Sequence, residues 1–442
     1  MNKMQDFNLI TLLQLLGQSL VMPHLPVLYI LVTLLVFRQY RRSVKMEQKL
    51  FGRIKNSPVK LTLYSIGLGI IAGLFASIIL IFFGVNLIEL GIPYVWAMVI
   101  ILLLFHPRYM CFAYGGGVIG LISLILSQLA QYYPEILEFW IVNDLVRINV
   151  PALVTLVAIL HLTESFLILV SGHISPSPIY VRHEQEGIVG GFSLQKFWPL
   201  PVMGIIGWYY PEANIDFAMS MPDWWPIVGS TITAPEGYQM MYQFLPVVVG
   251  LGYGDMAISS NPKAKSKSSA FNLALYSITL LVLAVISSYY GPLTWLAVLL
   301  LPLGHEAIII VGNSREFSRK PLYSQHDRGI KVLDVLPNSV GQHMGLKSGD
   351  VILSINNIPV SNKQDLLTNL YQSQPYVRMN VETLDGEQKF VKAPLYEHST
   401  HLGLILSPET DGHGNRYINP GGKNRFEGLL RKLLGKSKKK NG

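Results

Sequence analysis

The amino-acid sequence predicts a polytopic α-helical membrane domain of about eight to ten spans, containing a parallel internal repeat, followed by a C-terminal soluble α+β domain. Three observations lead there. Half of the residues are hydrophobic and only 14% are charged, with a mean hydropathy of +0.37, too apolar for a soluble chain of this length. Apolar runs long enough to cross a bilayer recur through the first 312 residues. Beyond residue 328 the pattern changes to the two-residue alternation of half-buried strands.

The apolar runs lie at 24 to 37, 61 to 84, 86 to 105, 111 to 128, 149 to 171, 197 to 211, 238 to 256, 270 to 289 and 292 to 312. A further stretch, 8 to 22, reads as another span or an interfacial helix ended by Pro23. The N-terminal segment has no small-residue cleavage site before its second apolar run, so it is expected to be retained. Net charge is +8, but Lys and Arg are concentrated in short blocks, which suits basic cytoplasmic loops and argues against nucleic acid as a partner. The block 38 to 60 carries Arg38, Arg41, Arg42, Lys45, Lys49, Arg53, Lys55 and Lys60 against a single acid, Glu47. Setting it in the cytoplasm and counting crossings puts 172 to 196, the "NPKAKSKSS" loop and everything after 313 on the same side. The aromatic stretch 209 to 237, with Tyr209, Tyr210, Trp224 and Trp225, falls outside as an interfacial belt. Cys111 is the sole cysteine, which excludes a disulfide framework and reads as a small core residue.

Two pairs of segments repeat in register. "TESFLILVSG" at 163 to 172 aligns with "HEAIIIVGNS" at 305 to 314, setting Glu164 opposite Glu306. Downstream, Pro178, Tyr180, His183, Gly187 and Ile188 answer Pro321, Tyr323, His326, Gly329 and Ile330. Both copies end on one side, so the halves, closing near 172 and 314, are expected to be parallel. The domain plan is then a membrane domain over 1 to 312, a linker over 313 to 327, a soluble domain over 328 to 407 and a basic tail over 408 to 442.

The soluble part reads strand, short helix, strand, a helical "NKQDLLTNLYQS", and a hairpin turned by Asp385-Gly386. Its segment "GIKVLDVLPNSVGQHMGLKSGDVILSINNIPVSN" resembles a bacterial PDZ domain, with Gly345, Leu346, Gly349, Asp350 and Ile352 at the structural positions of that family. Asp350 is expected to hold its loop through backbone amides. The resemblance implies peptide binding by strand addition, with the peptide carboxylate received by a Leu-Gly-φ loop. The candidate loop is Leu402, Gly403 and Leu404, with Leu366 and Leu367 on the opposing helix wall. In the tail, Phe426, Leu429, Leu430, Leu433 and Leu434 recur at helical spacing beside Arg425, Arg431, Lys432 and Lys436 and before Lys438, Lys439 and Lys440. An amphipathic helix on anionic membrane lipid is expected, at about 1 kcal/mol per basic residue.

The pair His305-Glu306 invites a zinc-protease reading, since intramembrane metalloproteases also combine spans with a PDZ domain. Their His-Glu-x-x-His spacing places two imidazoles on one helix face. Here Ile309 stands where the second His is needed, and His161 with Glu164 offers another incomplete set. His161, Glu164, His305 and Glu306 are therefore expected to form a polar set in which the paired Glu residues bond across the repeat interface or to the start of the following loop, because an ionisable group at membrane depth must find a partner. A four-ligand metal site or a proton relay are the alternatives. "VGLGYGD" at 249 to 255 departs from the potassium-filter signature, and "YGGGVIG" at 114 to 120 suits close helix packing. No catalytic set, metal or cofactor is expected.

Membrane part and PDZ module together resemble the MinJ-type proteins of Gram-positive bacteria, on the basic 38 to 60 loop, "HLTESFLILVSG", "GGFSLQKFWPLP" and the PDZ segment. The resemblance implies a non-enzymatic division-site adaptor in the cell membrane, enriched at septa and poles. It would bridge a curvature-sensing coiled-coil polar scaffold and the MinD ATPase of the Min system. An intramembrane metalloprotease-like protein or a transporter using Glu164 and Glu306 stay as alternatives.

Overall fold

In the computed structural model, residues 24–211, 224–229, 235–372, 376–394, 402–409 and 417 are described. The stretch 8 to 22 and the basic tail helix lie outside them, as does most of the aromatic segment 212 to 234. Among the described residues, six helical segments are long and apolar enough to cross a membrane: Pro58–Phe83, Leu87–Phe105, Phe112–Ala130, Val150–Ser171, Pro262–Tyr289 and Leu293–Ser318. The helices are α1 (His24–Phe51), α2 (Pro58–Phe83), α3 (Ile92–Phe105), α4 (Phe112–Ala130), α5 (Trp140–Val146), α6 (Val150–Ser171), α7 (Pro262–Tyr289) and α8 (Leu293–Ser318). In α6, Leu153, Val154, Val157, Ile159 and Leu167 are fully buried. A helix apolar on every side is stable at the middle of a bundle, and α6 is the pillar on which α2, α4, α7 and α8 pack.

Two expected spans are not helices. Residues 197 to 211 and 238 to 256 belong to strands β2 (Gly187–Pro211) and β3 (Tyr238–Ala257), paired antiparallel from Phe192↔Ala257 to Pro211↔Tyr238. A continuous apolar run has no period that separates a buried strand from a helix, and Pro199 and Pro201 break the helical option. Strand β1 (Ser177–His183) completes this sheet by pairing with the first residues of β2.

From Phe197 onward β2 runs beside α2 and in the same direction. Four helical residues rise about 6.0 Å and two strand residues about 6.6 Å, so the two elements stay in step. A Cβ on Gly69 would lie 2.1 Å from the carbonyl oxygen of Pro199, and one on Gly73 2.1 Å from that of Pro201. Only glycine permits that approach. The donors on this edge of β2 go to helix and turn side chains. Phe197 N–H donates to Tyr40 Oη at 3.1 Å, Met203 N–H to Ser77 Oγ at 2.8 Å and Gly207 N–H to Asn86 Oδ1 at 3.0 Å. Pro199 and Pro201 fall between them and have no N–H to satisfy. The hairpin thus follows a spanning helix with its edge donors matched, as a low-dielectric surround requires, and it returns the chain to the end where α2 begins. The element type differs from expectation, and α7 starts from the end at which α2 begins.

The expected aromatic belt is only partly surface. Trp224 is exposed, but Trp225 is buried against Tyr242 with Nε1–H donating to Ile81 O at 2.8 Å. "YGGGVIG" packs as expected, Gly116 against Val157 and Gly117 against Pro302. "VGLGYGD" lies within β3, paired to β2. The helix α8 continues to Ser318, and Tyr323 is buried and bridges Gly190, so part of the expected 313 to 327 linker is packed structure.

The repeated motifs fold alike. Each closes a tight reversal between its His and Gly, His183 with Gly187 and His326 with Gly329. In each, the His Nδ1 accepts a backbone N–H inside the turn, from Gln185 and Glu186 in one and from Arg328 in the other.

The C-terminal domain is a six-stranded antiparallel sheet in the order β8-β7-β5-β4-β9, with β6 beside β5. Its strands are β4 (Ile330–Val335), β5 (Val351–Ile355), β6 (Ile358–Pro359), β7 (Tyr376–Glu382), β8 (Gln388–Pro394) and β9 (Leu404–Leu406). The helices α9 (Val340–His343) and α10 (Lys363–Gln372) complete it. Val332, Leu346, Ile352, Ile355, Leu366, Val377 and Val381 form a core separate from that of the bundle.

Candidate peptide-binding groove and intramembrane polar cluster

In the C-terminal domain, Gly349 holds φ +95, a conformation that favours glycine, and the turn it makes brings Asp350 back on its own loop. Asp350 accepts from Lys347 N–H at 3.0 Å and pairs with Lys389 at 2.7 Å. Gly345 ends α9 at φ +73, and Leu346 and Ile352 are buried beneath. These residues fix the sheet whose edge strand is β9. The loop before β9 contains buried Leu402 and Gly403, the latter at φ +72. Gly403 O accepts from Leu336 N–H, and Ser407 N–H donates to Lys331 O. By alternation, the main-chain groups of Leu404 and Leu406 face away from β4 along the outer edge of the sheet. On α10, Leu366 is buried in the domain core and Leu367 is half-buried. Glu409, just after β9, accepts from Lys363 N–H at the start of α10, tying the two walls at one end.

The domain is docked on the β1–β2 sheet. Leu333 and Ile405 share a core with Tyr180 and Phe192. Lys55, from the basic segment, pairs with Asp334 at 2.6 Å, donates to Pro176 O and lies 5.8 Å over the Phe192 ring. Burial pushes the Asp334 carboxyl up from its ordinary range, against the opposing pull of Lys55. The lone acid of the basic segment is an organiser: buried Glu47 accepts from Lys55 N–H, Asn56 N–H, Asn56 Nδ2 and Ser177 Oγ. A second buried carboxylate, Glu316, accepts from the successive N–H groups of Ile258, Ser259 and Ser260, each at 2.8 Å.

Within the bundle, the residues singled out from the sequence are only partly brought together. The rings of His161 on α6 and His305 on α8 stand 5.2 Å apart, edge to face. Glu306 does not bond to Glu164. It pairs with Arg108 and accepts from Tyr114 Oη at 2.5 Å, thereby crossing to the 106 to 111 loop and α4. Glu164 lies one turn beyond His161, within its electrostatic reach. Cys111, read from sequence as core filler, caps α4 with Sγ 3.3 Å from His161 Nε2 and 3.8 Å from His305 Nε2. Arg108 is the signal that could have located this cluster, being a lone cation between two apolar runs and hence in need of a carboxylate.

Spanning helices that carry a peptide-binding fold at one end define a multi-pass membrane protein with a PDZ domain. Residues 331–378 match the family model described as a PDZ domain. The chain is 28% identical over 341 residues to the cell division topological determinant MinJ of Bacillus subtilis (strain 168), covering 76% of this chain and 81% of that protein. It is also 31% identical over 84 residues to the probable cell division topological determinant MinJ of Lacticaseibacillus paracasei, covering 19% of this chain and 23% of that one. The chain is thus similar to MinJ-type PDZ proteins over most of its length, and the similarity supports a division-related adaptor.

Proposed function

We propose that the chain is a non-enzymatic membrane adaptor that presents its PDZ groove to the cytoplasm and acts in division-site selection, bridging a polar coiled-coil scaffold and the Min system. One observation carries the orientation. Asp334 of the PDZ domain is paired with Lys55 of the basic segment, and segments rich in Lys and Arg are retained on the cytoplasmic side. Edge strand β9 and α10 form the groove, with Leu402, Gly403 and Leu404 receiving the peptide carboxylate and Leu367 lining the opposite wall. The basic tail adds contact with anionic lipid.

A fluorescent fusion in dividing cells tests this reading. It should concentrate at septa and poles, and deletion of 328 to 407 should abolish partner recruitment while leaving the protein in the membrane. Uniform membrane fluorescence in dividing cells would overturn it.

A further inference from the structure

We propose that Cys111, His161 and His305 form a binding site for a thiophilic d10 cation, Zn2+ or Cu+, inside the helix bundle. The three donor atoms lie within 4.8 Å of one another. A tetrahedral zinc with bonds of about 2.3 Å to sulfur and about 2.0 Å to nitrogen sets those ligand atoms about 3.5 Å apart. The Sγ–Nε2 distances of 3.3 and 3.8 Å bracket that value.

The second observation is the hydrogen bonding behind each imidazole. His161 Nδ1 is 2.8 Å from Val157 O, which can only accept, so Nδ1 carries the proton and Nε2 turns a lone pair to the sulfur. His305 Nδ1 is 3.3 Å from Tyr114 Oη. Tyr114 gives its own proton to Glu306, which Arg108 holds in place, so its oxygen accepts from His305 Nδ1–H. Again Nε2 is left with a lone pair aimed at Cys111. Two such lone pairs thus converge on a thiol that has one proton, and a single S–H can satisfy only one of them. A cation satisfies all three donors. A carbonyl behind one ligand and a carboxylate-supported tyrosine behind the other are the supports that fix tautomer and ring angle in metal sites.

The location suits a fastening. His161 is ten residues from the end of α6, about 15 Å into the bundle. The irregular 106 to 111 loop reaches this depth, where non-helical backbone needs protein around it. Tyr276 closes one side with its ring edge-on to both histidines and its hydroxyl donating to Leu301 O. Three protein donors suit trigonal Cu+, or Zn2+ with one further ligand. Binding forms one metal–sulfur and two metal–nitrogen bonds and releases the Cys111 thiol proton to solvent, with no change of oxidation state. Glu306 is engaged by Arg108 and Tyr114, and the three donors join the start of α4 to α6 and α8.

The test uses the full chain in detergent, stripped with chelator under reducing conditions and then offered Zn2+ or Cu+ in separate arms, with Co2+ as a spectroscopic probe. Uptake of about one equivalent per chain is expected in one arm, with a thiolate-to-cobalt charge-transfer band. Cys111→Ser should lose both uptake and band, and Tyr114→Phe should weaken binding about tenfold or more. His326→Ala, in the distant turn, should bind as wild type. Folded wild-type protein that takes up neither ion overturns the proposal without a variant, and so does undiminished uptake by folded Cys111→Ser.

Discussion

The hydroxyl of Tyr180 in the membrane part donates to the carbonyl oxygen of Leu406 at 2.8 Å, on the edge of β9 that an incoming peptide strand would use. Burial pushes the Tyr180 phenol up to about 12, so it stays a neutral donor at any physiological pH. In the proposed groove, docking of the PDZ domain and peptide binding would therefore compete for one acceptor.

Tyr180→Phe removes that competitor while keeping the ring. A hydrogen bond of this kind is worth about 1 kcal/mol, so peptides should bind the full-length variant roughly fivefold more tightly. Fluorescence anisotropy with a labelled partner peptide measures this, and unchanged affinity would show that Tyr180 and peptide do not share the edge.

The Lys55–Asp334 pair should behave as a buried ion pair whose desolvation is incompletely repaid. Lys55→Met leaves Asp334 charged and unpaired and should cost about 3 kcal/mol, whereas Lys55→Met with Asp334→Leu should be close to neutral. The pH dependence has a definite sign. A carboxyl raised in the folded state binds its proton more tightly there than when unfolded, so wild type gains stability relative to Asp334→Asn as pH falls from the raised value toward 3.8. Melting curves of both proteins in one detergent, compared between neutral and mildly acidic pH, read that difference.

The contact of β2 with α2 should tolerate almost nothing. Gly73→Ala forces a methyl to 2.1 Å from Pro201 O and should lower stability by about 2 kcal/mol or more. Ser77→Ala strands the Met203 N–H and should cost about 1–3 kcal/mol. Amide exchange between 197 and 207 should accelerate in both variants.

Glu316→Ala removes the acceptor shared by three consecutive amides and leaves Lys265 with Asp255 as its remaining ion-pair partner. A loss of about 3 kcal/mol is expected. Limited proteolysis should cut first at 258 to 261.

The helices were legible because length and apolarity suffice, and the PDZ domain because its glycines and Asp350 occupy positions that backbone geometry dictates. The hairpin was not, since "FWPLPVMGIIGWYYP" has a span's apolarity and its strand character rests on β3, 27 to 55 residues further on, and on helix and turn side chains more than a hundred residues back. Gly69 and Gly73 facing Pro199 and Pro201 is a match of two periods, visible only once the elements lie side by side. Cys111 escaped for a related reason. A lone cysteine carries no spacing signal, and its histidines are 50 and 194 residues distant. The pair Glu164 and Glu306 aligned in sequence, yet Glu306 found Arg108 because a cation at that depth outcompetes a second carboxylate.

The hairpin also dictates an order of biosynthesis. A helix can leave the translocation channel for lipid as soon as it is made, because its main-chain bonds are internal. Strand β2 cannot, since each unpaired N–H or carbonyl in hydrocarbon costs several kcal/mol and half of its partners lie on β3. It must be kept from lipid until residue 257 has been synthesised, and then delivered to an α2 that is already inserted. Maturation of this protein should therefore be unusually sensitive to loss of a membrane insertase or chaperone that shelters polar backbone, a dependence that none of the six long apolar helices among the described residues would create alone.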